Sequence, residues 1–212
     1  MNPAFLKASA MPDVQSTLDK RALPIEQVGI RGVRHPLTIR SKTGNFPSVG
    51  TFEMDVALPA HVKGTHMSRF MALLQKQDQA VDSTTVVALV REMLPLLDAK
   101  EGHVQFTYTH FVKKAAPVSG VESLMDYEVT WMATAKQNAT GETTVELGLR
   151  AQVPVMSLCP CSKEISEFGA HNQRSHVTMT VALDSATQMT VEDLVAAAES
   201  EASSELWGLL KR

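Results

Sequence analysis

The chain has 212 residues, which is long enough for one large domain or two small ones with a sizeable core. Hydrophobic residues make up 44% and charged residues 20%, as in an ordinary globular protein, and no apolar run approaches the roughly 20 residues that cross a bilayer. The formal net charge of −3 argues against non-specific nucleic-acid binding, because a surface that follows phosphates needs an excess of Lys and Arg.

The N-terminal stretch is polar and lacks the apolar core of a secretory signal. We predict a flexible leader over residues 1–24 and a cytoplasmic location. The two cysteines, Cys159 and Cys161, are separated by one proline, and neighbours this close rarely form a disulfide. Their spacing favours a reducing compartment and a reactive or metal-bound thiol.

An antiparallel hairpin is predicted after the leader. Residues 25–40 and 48–58 alternate apolar and polar side chains, and the turn formers of SKTGNFP connect them. Pro36 indicates that the first strand is an edge strand or contains a bulge. The pattern then changes to helical periodicity over residues 67–79.

A second helix is predicted over TTVVALVREMLPLLDAK, where Pro95 kinks or shortens it and the candidate N-caps are Asp82, Ser83 and Thr84. Alternation predicts four further strands, near residues 103–113, 126–136, 143–153 and 174–183. An amphipathic helix is predicted from Val191 to the end of the chain.

This order reads β-β-α-α-β-β followed by β-β-α. It predicts an α+β protein built from tandem β-β-α-α-β-β units, with an antiparallel sheet and helices on one face. The first unit spans residues 25–137, and the second, over residues 138–212, is incomplete. An incomplete unit leaves a sheet edge unpaired, so either the repeat is accidental or material that completes it lies outside this chain.

The densest group of chemically active side chains lies in residues 156–176, which hold both cysteines, two histidines, an arginine and two glutamates. Thiolate and imidazole suit a divalent transition metal such as zinc, and Cys159 and His171 flank a loop between two predicted antiparallel strands. A structural or incidental site is the alternative. The small number of thiols favours an open, catalytic site over a closed one with four protein ligands.

Two further features each have a functional interpretation and a purely structural one. The segment HVKGTHMSRF combines a glycine and hydroxyls at a helix start with four basic side chains, His61, Lys63, His66 and Arg69. Such a loop suits an anion or phosphate, or it is a solvated loop with Thr65 or Ser68 as N-cap. The predicted terminal helix presents Glu199, Glu201 and Glu205, which are metal ligands, general bases or simply its solvated side.

The segments HVKGTHMSRF and SLCPCSKEISEFGAHNQRSHVTMTV resemble the two signature stretches of the GTP cyclohydrolase IB family, and ESEASSELWGLLKR resembles a third. Together they spread over residues 61–212. The resemblance implies the tunnelling fold and a homotetramer with active sites at subunit interfaces. It also implies a hydrolase acting on cyclic amidine C–N bonds, which converts GTP to 7,8-dihydroneopterin triphosphate and formate with a divalent metal (Zn²⁺, Mn²⁺ or Fe²⁺) as the first step toward tetrahydrofolate.

The resemblance also implies residue roles. Cys159 matches the metal-ligating and catalytic cysteine of the family, His171 matches a second ligand, and Glu205 is the candidate carboxylate ligand from the terminal helix. In the first motif, His66 is a candidate for proton transfer, and the candidates for substrate binding are His61, Lys63 and Arg69.

The chain departs from the family pattern at its C-terminal end. In the family, LLKR continues into an acidic segment, another helix and two strands, so we expect this sequence to stop before the usual end. Two alternatives stay open. One is a nitrile reductase of the same fold that acts on a deazaguanine with NADPH, and the other is a purine-, pterin- or metal-binding module or fragment without turnover.

Overall fold

The structure, a computed structural model, describes residues 17–167, 172–184 and 189–210. In chain order, its elements are β1 (Ile25–Ser41), β2 (Gly44–Leu58), α1 (Met67–Gln75), α2 (Ser83–Leu96), β3 (Glu101–Ala115), β4 (Glu122–Gln137), β5 (Thr143–Leu158), α3 (Pro160–Ile165), β6 (Asn172–Leu183) and α4 (Val191–Ser200). No helix among these residues is long and apolar enough to cross a membrane.

The six strands form one antiparallel sheet in the order β1-β2-β3-β4-β5-β6. Alternate side chains of each strand face the core, as in β4, where every second residue from Met125 to Ala135 is buried. The helix α2 packs against β3, β4 and β5, and α4 packs against β5 and β6, with the buried side chains of both helices in one cluster. The predicted α+β class, with an antiparallel sheet and helices on one face, is confirmed.

The strand β1 is an edge strand, as Pro36 indicated. Pro36 pairs with Val49 on β2, and the β1–β2 register shifts at two places earlier in β1. Proline is tolerated at a sheet edge because its missing N–H removes no bond to a further strand. The hairpin is tighter than predicted, since Ser41 already pairs with Gly44.

The helix α2 begins where its capping residues predict. Asp82 is the N-cap, its carboxylate accepts from the Thr85 N–H at 2.9 Å, and the Thr85 hydroxyl lies 2.8 Å from the Asp82 N–H, which completes a reciprocal capping box. Pro95 lies inside the last turn, and the helix ends at Leu96. The predicted continuation through Lys100 is therefore too long, as is the predicted end of α1 at residue 79.

The terminal helix is much shorter than predicted, because α4 ends at Ser200. The residues that follow bond to β5 instead: the Ser203 hydroxyl accepts from the Leu158 N–H, and Ser204 and Met156 exchange two backbone hydrogen bonds. Serine favours such side-chain-to-backbone bonds over a helix interior. The prediction that Glu201 and Glu205 share a helix face is wrong.

The division of the chain at residue 137 stays a prediction. The strands on either side of it are neighbours in the sheet, with Gln137 paired to Thr143. Within the predicted leader, residues 1–16 lie outside the described residues, and Leu18 forms an isolated bridge with Val62.

Candidate functional site

Cys159 directly follows β5 and is the N-cap residue of α3, with Pro160 in the first helical position. Its side chain is half-buried, whereas that of Cys161 is exposed, and no disulfide joins the two. Proline suits the start of a helix because its fixed φ is helical and its missing N–H has no partner there. We predicted a loop here, and a proline two residues after the end of a strand was the signal for this short helix.

His171, the second predicted metal ligand, lies outside the described residues. Its chain neighbour Asn172 pairs with Leu158, which is the chain neighbour of Cys159. Leu158 and Asn172 form the last cross-strand pair of β5 and β6, and the role of His171 as a ligand from the same end of the sheet stays a prediction. Within residues 17–167, 172–184 and 189–210, no three His, Cys, Asp or Glu side chains are grouped closely enough to hold a metal ion.

Glu205, the third predicted ligand, lies in the segment after α4. Its carboxylate pairs with the Lys114 ammonium at 2.5 Å, and Glu199 pairs with the same ammonium at 2.8 Å. The Tyr127 hydroxyl donates to Glu199 at 3.0 Å, and burial together with that carboxylate raises the pKa of Tyr127. The Lys114 side chain is 9% exposed and lies 5.3 Å from the ring centre of Trp207.

This arrangement around Lys114 was not predicted. Two adjacent lysines at the end of β3 carry no pattern that separates a buried ammonium from an exposed one. Lys114 is enclosed by α4 and by the segment after it, whereas the side chain of Lys113 is 54% exposed and pairs with Glu122. The distinction depends on contacts between parts of the chain about 85 positions apart.

The first motif connects β2 to α1. His61 and Lys63 are exposed, His66 is half-buried and occupies the N-cap position of α1, and Thr65 is buried. The N-cap is therefore neither Thr65 nor Ser68, and His66 makes no side-chain cap bond.

A cavity of about 190 Å³ lies beside this motif and is lined in part by Gly64, Thr65, His66 and Arg69. Arg69 donates from Nη1 to the Leu96 carbonyl at 2.8 Å and lies 3.3 Å from the Asp98 carboxylate. The guanidinium thus satisfies an unpaired carbonyl at the C-terminal end of α2. The motif combines a cavity with cations, as an anion site requires, although Arg69 also has this structural contact.

The two predicted halves of the site lie at opposite ends of the sheet. Val56 of β2 is level with Gly102 of β3, then with Ala135 of β4 and Val145 of β5. Cys159 lies 14 positions beyond Val145 (159 − 145), which is roughly 45 Å at about 3.3 Å per residue. We call these the His61 end and the Cys159 end. One chain does not bring the two motifs together.

Comparison with known proteins gives a consistent result. Residues 11–212 match the model of the family described as type I GTP cyclohydrolase folE2. The chain is 91% identical to GTP cyclohydrolase FolE2 of Polynucleobacter asymbioticus, over all of this chain and 78% of that protein. It is also similar to the proteins named GTP cyclohydrolase FolE2 from Paraburkholderia phymatum and Cupriavidus pinatubonensis, at 54% and 53% identity over all of this chain and 75% and 74% of theirs.

Proposed function

The chain belongs to the type I GTP cyclohydrolase folE2 family, and we propose from this membership that it hydrolyses GTP to 7,8-dihydroneopterin triphosphate and formate. This is the first step of tetrahydrofolate biosynthesis. The observation that carries the proposal is the match of residues 11–212 to one family, joined to 91% identity with a protein named for this activity. The finer assignment to the prokaryotic IB type rests on the motifs at residues 61–70 and 157–181.

We propose that Cys159 and His171 hold a divalent metal ion, Zn²⁺, Mn²⁺ or Fe²⁺. The register supports this pairing, because both residues are adjacent in the chain to the paired residues Leu158 and Asn172. A thiolate and an imidazole suit these metals.

The chemistry that such an ion supplies is a water molecule whose pKa is lowered to about 7, which makes hydroxide available for attack on the purine at neutral pH. Cys159 would contribute a half-buried thiol directly after β5, and the pairing of that strand with β6 limits the positions that the sulfur reaches. Glu205 remains a proposed third ligand. In that role its carboxylate would bind the metal ion and also keep its ion pair with the Lys114 ammonium.

We further propose a cytoplasmic homo-oligomer, a tetramer by the family resemblance, in which the His61 end of one subunit faces the Cys159 end of another. The separation of roughly 45 Å between the two ends of one chain supports this proposal. In such a site, His61, Lys63 and Arg69 bind the triphosphate and sugar of GTP, and His66 transfers a proton. Arginine and lysine suit this task because they form charge-assisted bonds to phosphate oxygens.

The test is the variant Cys159→Ala. We expect it to abolish formate release and the fluorescent pterin formed from GTP after oxidation, with Mn²⁺ or Zn²⁺ added. Cys161→Ser is the matched control, because this second thiol is exposed and is not proposed as a ligand. Full activity in Cys159→Ala would remove the metal-thiolate mechanism.

A further inference from the structure

The strands β4 and β5 stop pairing near the Cys159 end, and the segment after α4 lies between them there. Their register runs from Gln137–Thr143 to Glu128–Gln152, while β5 continues to pair with β6 as far as Leu158. The 201–209 segment bonds to β5 through Ser204 and Met156, and to β4 through the Leu209 N–H, which donates to the Ser123 hydroxyl at 3.2 Å. It therefore takes the place beside β5 that β4 leaves.

This segment is held by charged groups that do not belong to β5. The Lys114 ammonium on β3 pairs with Glu205 in the segment and with Glu199 at the end of α4. Charge-assisted bonds in a largely enclosed position are stronger than neutral ones. The segment is thus fixed relative to β3 and α4, and it provides β5 with a stationary neighbour.

The N–H of Leu158, the residue before the predicted metal ligand, bonds to this neighbour. On one edge of an antiparallel strand, N–H groups two residues apart point the same way, so Met156 and Leu158 both face the segment. The Met156 N–H donates to the Ser204 carbonyl at 2.9 Å, and the Ser204 N–H donates to the Met156 carbonyl at 3.3 Å. The Leu158 N–H donates instead to the Ser203 hydroxyl at 3.0 Å.

We propose that Ser203 is a positioning residue for the Cys159 thiolate, acting through its hydroxyl on the Leu158 amide. This rests on the proposed function, in which Cys159 is a metal ligand. The contact fixes the Ser157–Leu158 peptide plane, one peptide before the bond that joins Leu158 to Cys159, and so limits the directions in which the sulfur leaves the end of β5. Groups one shell away from a metal orient the ligands in this manner, and their loss weakens metal binding about 10- to 100-fold.

The experiment compares Ser203→Ala with Ser204→Ala in a Cys161→Ser background. Ser204→Ala is the matched control, because among the described residues the Ser204 hydroxyl bonds to the neighbouring Glu205 carbonyl alone, at 3.1 Å, and the backbone bonds of Ser204 to Met156 remain. Zn²⁺ affinity is measured by competition with a chromophoric chelator, and Cys159 reactivity by the rate of iodoacetamide alkylation of the metal-free protein. Thermal unfolding monitors the fold.

We expect Ser203→Ala to weaken Zn²⁺ binding about three- to tenfold, because the net contribution of one hydrogen bond at a partly exposed site is modest. The same variant should change the alkylation rate of Cys159 and lower kcat, with KM for GTP unchanged. Ser204→Ala stays within twofold of the parent, and Ser203→Thr restores affinity by restoring the hydroxyl. No variant unfolds more than about 4 °C below the parent, which corresponds to the loss of one hydrogen bond in a protein of this size. Equal Zn²⁺ affinities and alkylation rates for Ser203→Ala and Ser204→Ala would overturn the positioning role.

Failure of the proposed function has a different signature. If Cys159→Ala binds Zn²⁺ as tightly as the parent, then the thiolate is not a ligand and the metal-thiolate proposal is wrong. The alkylation rates of the metal-free Ser203 and Ser204 variants decide the positioning of Cys159 without reference to the metal.

Discussion

At the Cys159 end of the sheet, charged side chains of α4 and of the segment after it reach across to β3 and to the β1–β2 hairpin. Lys114 pairs with Glu199 and Glu205, and Lys42 pairs with Asp193 at 2.5 Å. At the His61 end, among the described residues, Arg69 joins α1 to the end of α2, the His103 ring lies 2.7 Å from the Asp55 carboxylate, and His61 and Lys63 are exposed. The end that is proposed to hold a metal thus contains an enclosed cation, Lys114, whereas the end proposed to bind the substrate presents the exposed cation Lys63.

We expect the largest loss of stability when the Lys114 ammonium, the enclosed cation of the Cys159 end, is removed. In Lys114→Met, two carboxylates lose their shared cation in a position where Glu199 is 11% exposed, and we expect the free energy of unfolding to fall by about 3 kcal/mol. Urea denaturation measures the change. The control Lys113→Met removes an exposed pair with Glu122 and is expected to cost less than about 1 kcal/mol. Equal effects would mean that Lys114 is no more important to this end than a surface lysine.

Low pH should lower the stability of the Cys159 end by protonating Glu192, which lies in the first turn of α4. Its burial opposes ionisation, but hydrogen bonds from His110, Ser41 and the Lys42 amide dominate and lower its pKa to about 2, from an ordinary 4.5. His110 is fully buried, with Nε2 3.2 Å from the carboxylate. Because the pKa is lower in the folded state, the stabilisation is present above pH 4.5 and is lost as the pH falls toward 2.

The measurement is the thermal unfolding midpoint between pH 6 and pH 2. We expect Glu192→Gln to unfold at a lower temperature than the parent at pH 6 and to approach it at low pH, because the parent alone loses an ionised Glu192. Glu128→Gln, which changes an exposed carboxylate on β4, should parallel the parent throughout. A Glu192→Gln curve that runs parallel to the parent would show that the ionised carboxylate adds nothing to stability.

The strands were predictable because their signal is local. Alternation placed β6 at residues 174–183, and the structure has Asn172–Leu183, since a strand with one buried face repeats every two residues wherever it lies in the sheet. The end of α4 was not predictable in this way. The bond between Ser203 and Leu158 joins positions 45 apart in the sequence, and helix periodicity carries no information about such a partner.

The two motifs were predicted from the sequence, and their roles in a site stay predictions. The distance between them in one chain was not predicted, although the strand order implies it. Both motifs were recognised from residue types, yet their separation follows from strand direction, because the second and fifth strands of an antiparallel meander end at opposite edges. The predicted order of the strands already contained this information about their directions. The roles of Lys114 and Ser203 were not, because each depends on which side chains α4 and its following segment bring to the sheet.

The smallest effect on stability is expected at the His61 end, where Arg69→Ala tests whether the arginine serves the fold, the substrate or both. Loss of its bond to the Leu96 carbonyl should lower the free energy of unfolding by about 1 kcal/mol, while Arg91→Ala, an exposed arginine on α2, should change it by less than about 0.5 kcal/mol. If Arg69 also binds the triphosphate, KM for GTP rises about tenfold in Arg69→Ala and stays unchanged in Arg91→Ala, because a charge-assisted bond contributes about 1.5 kcal/mol or more. An unchanged KM with lowered stability would assign Arg69 to the end of α2 alone, and the triphosphate would then depend on Lys63 and His61.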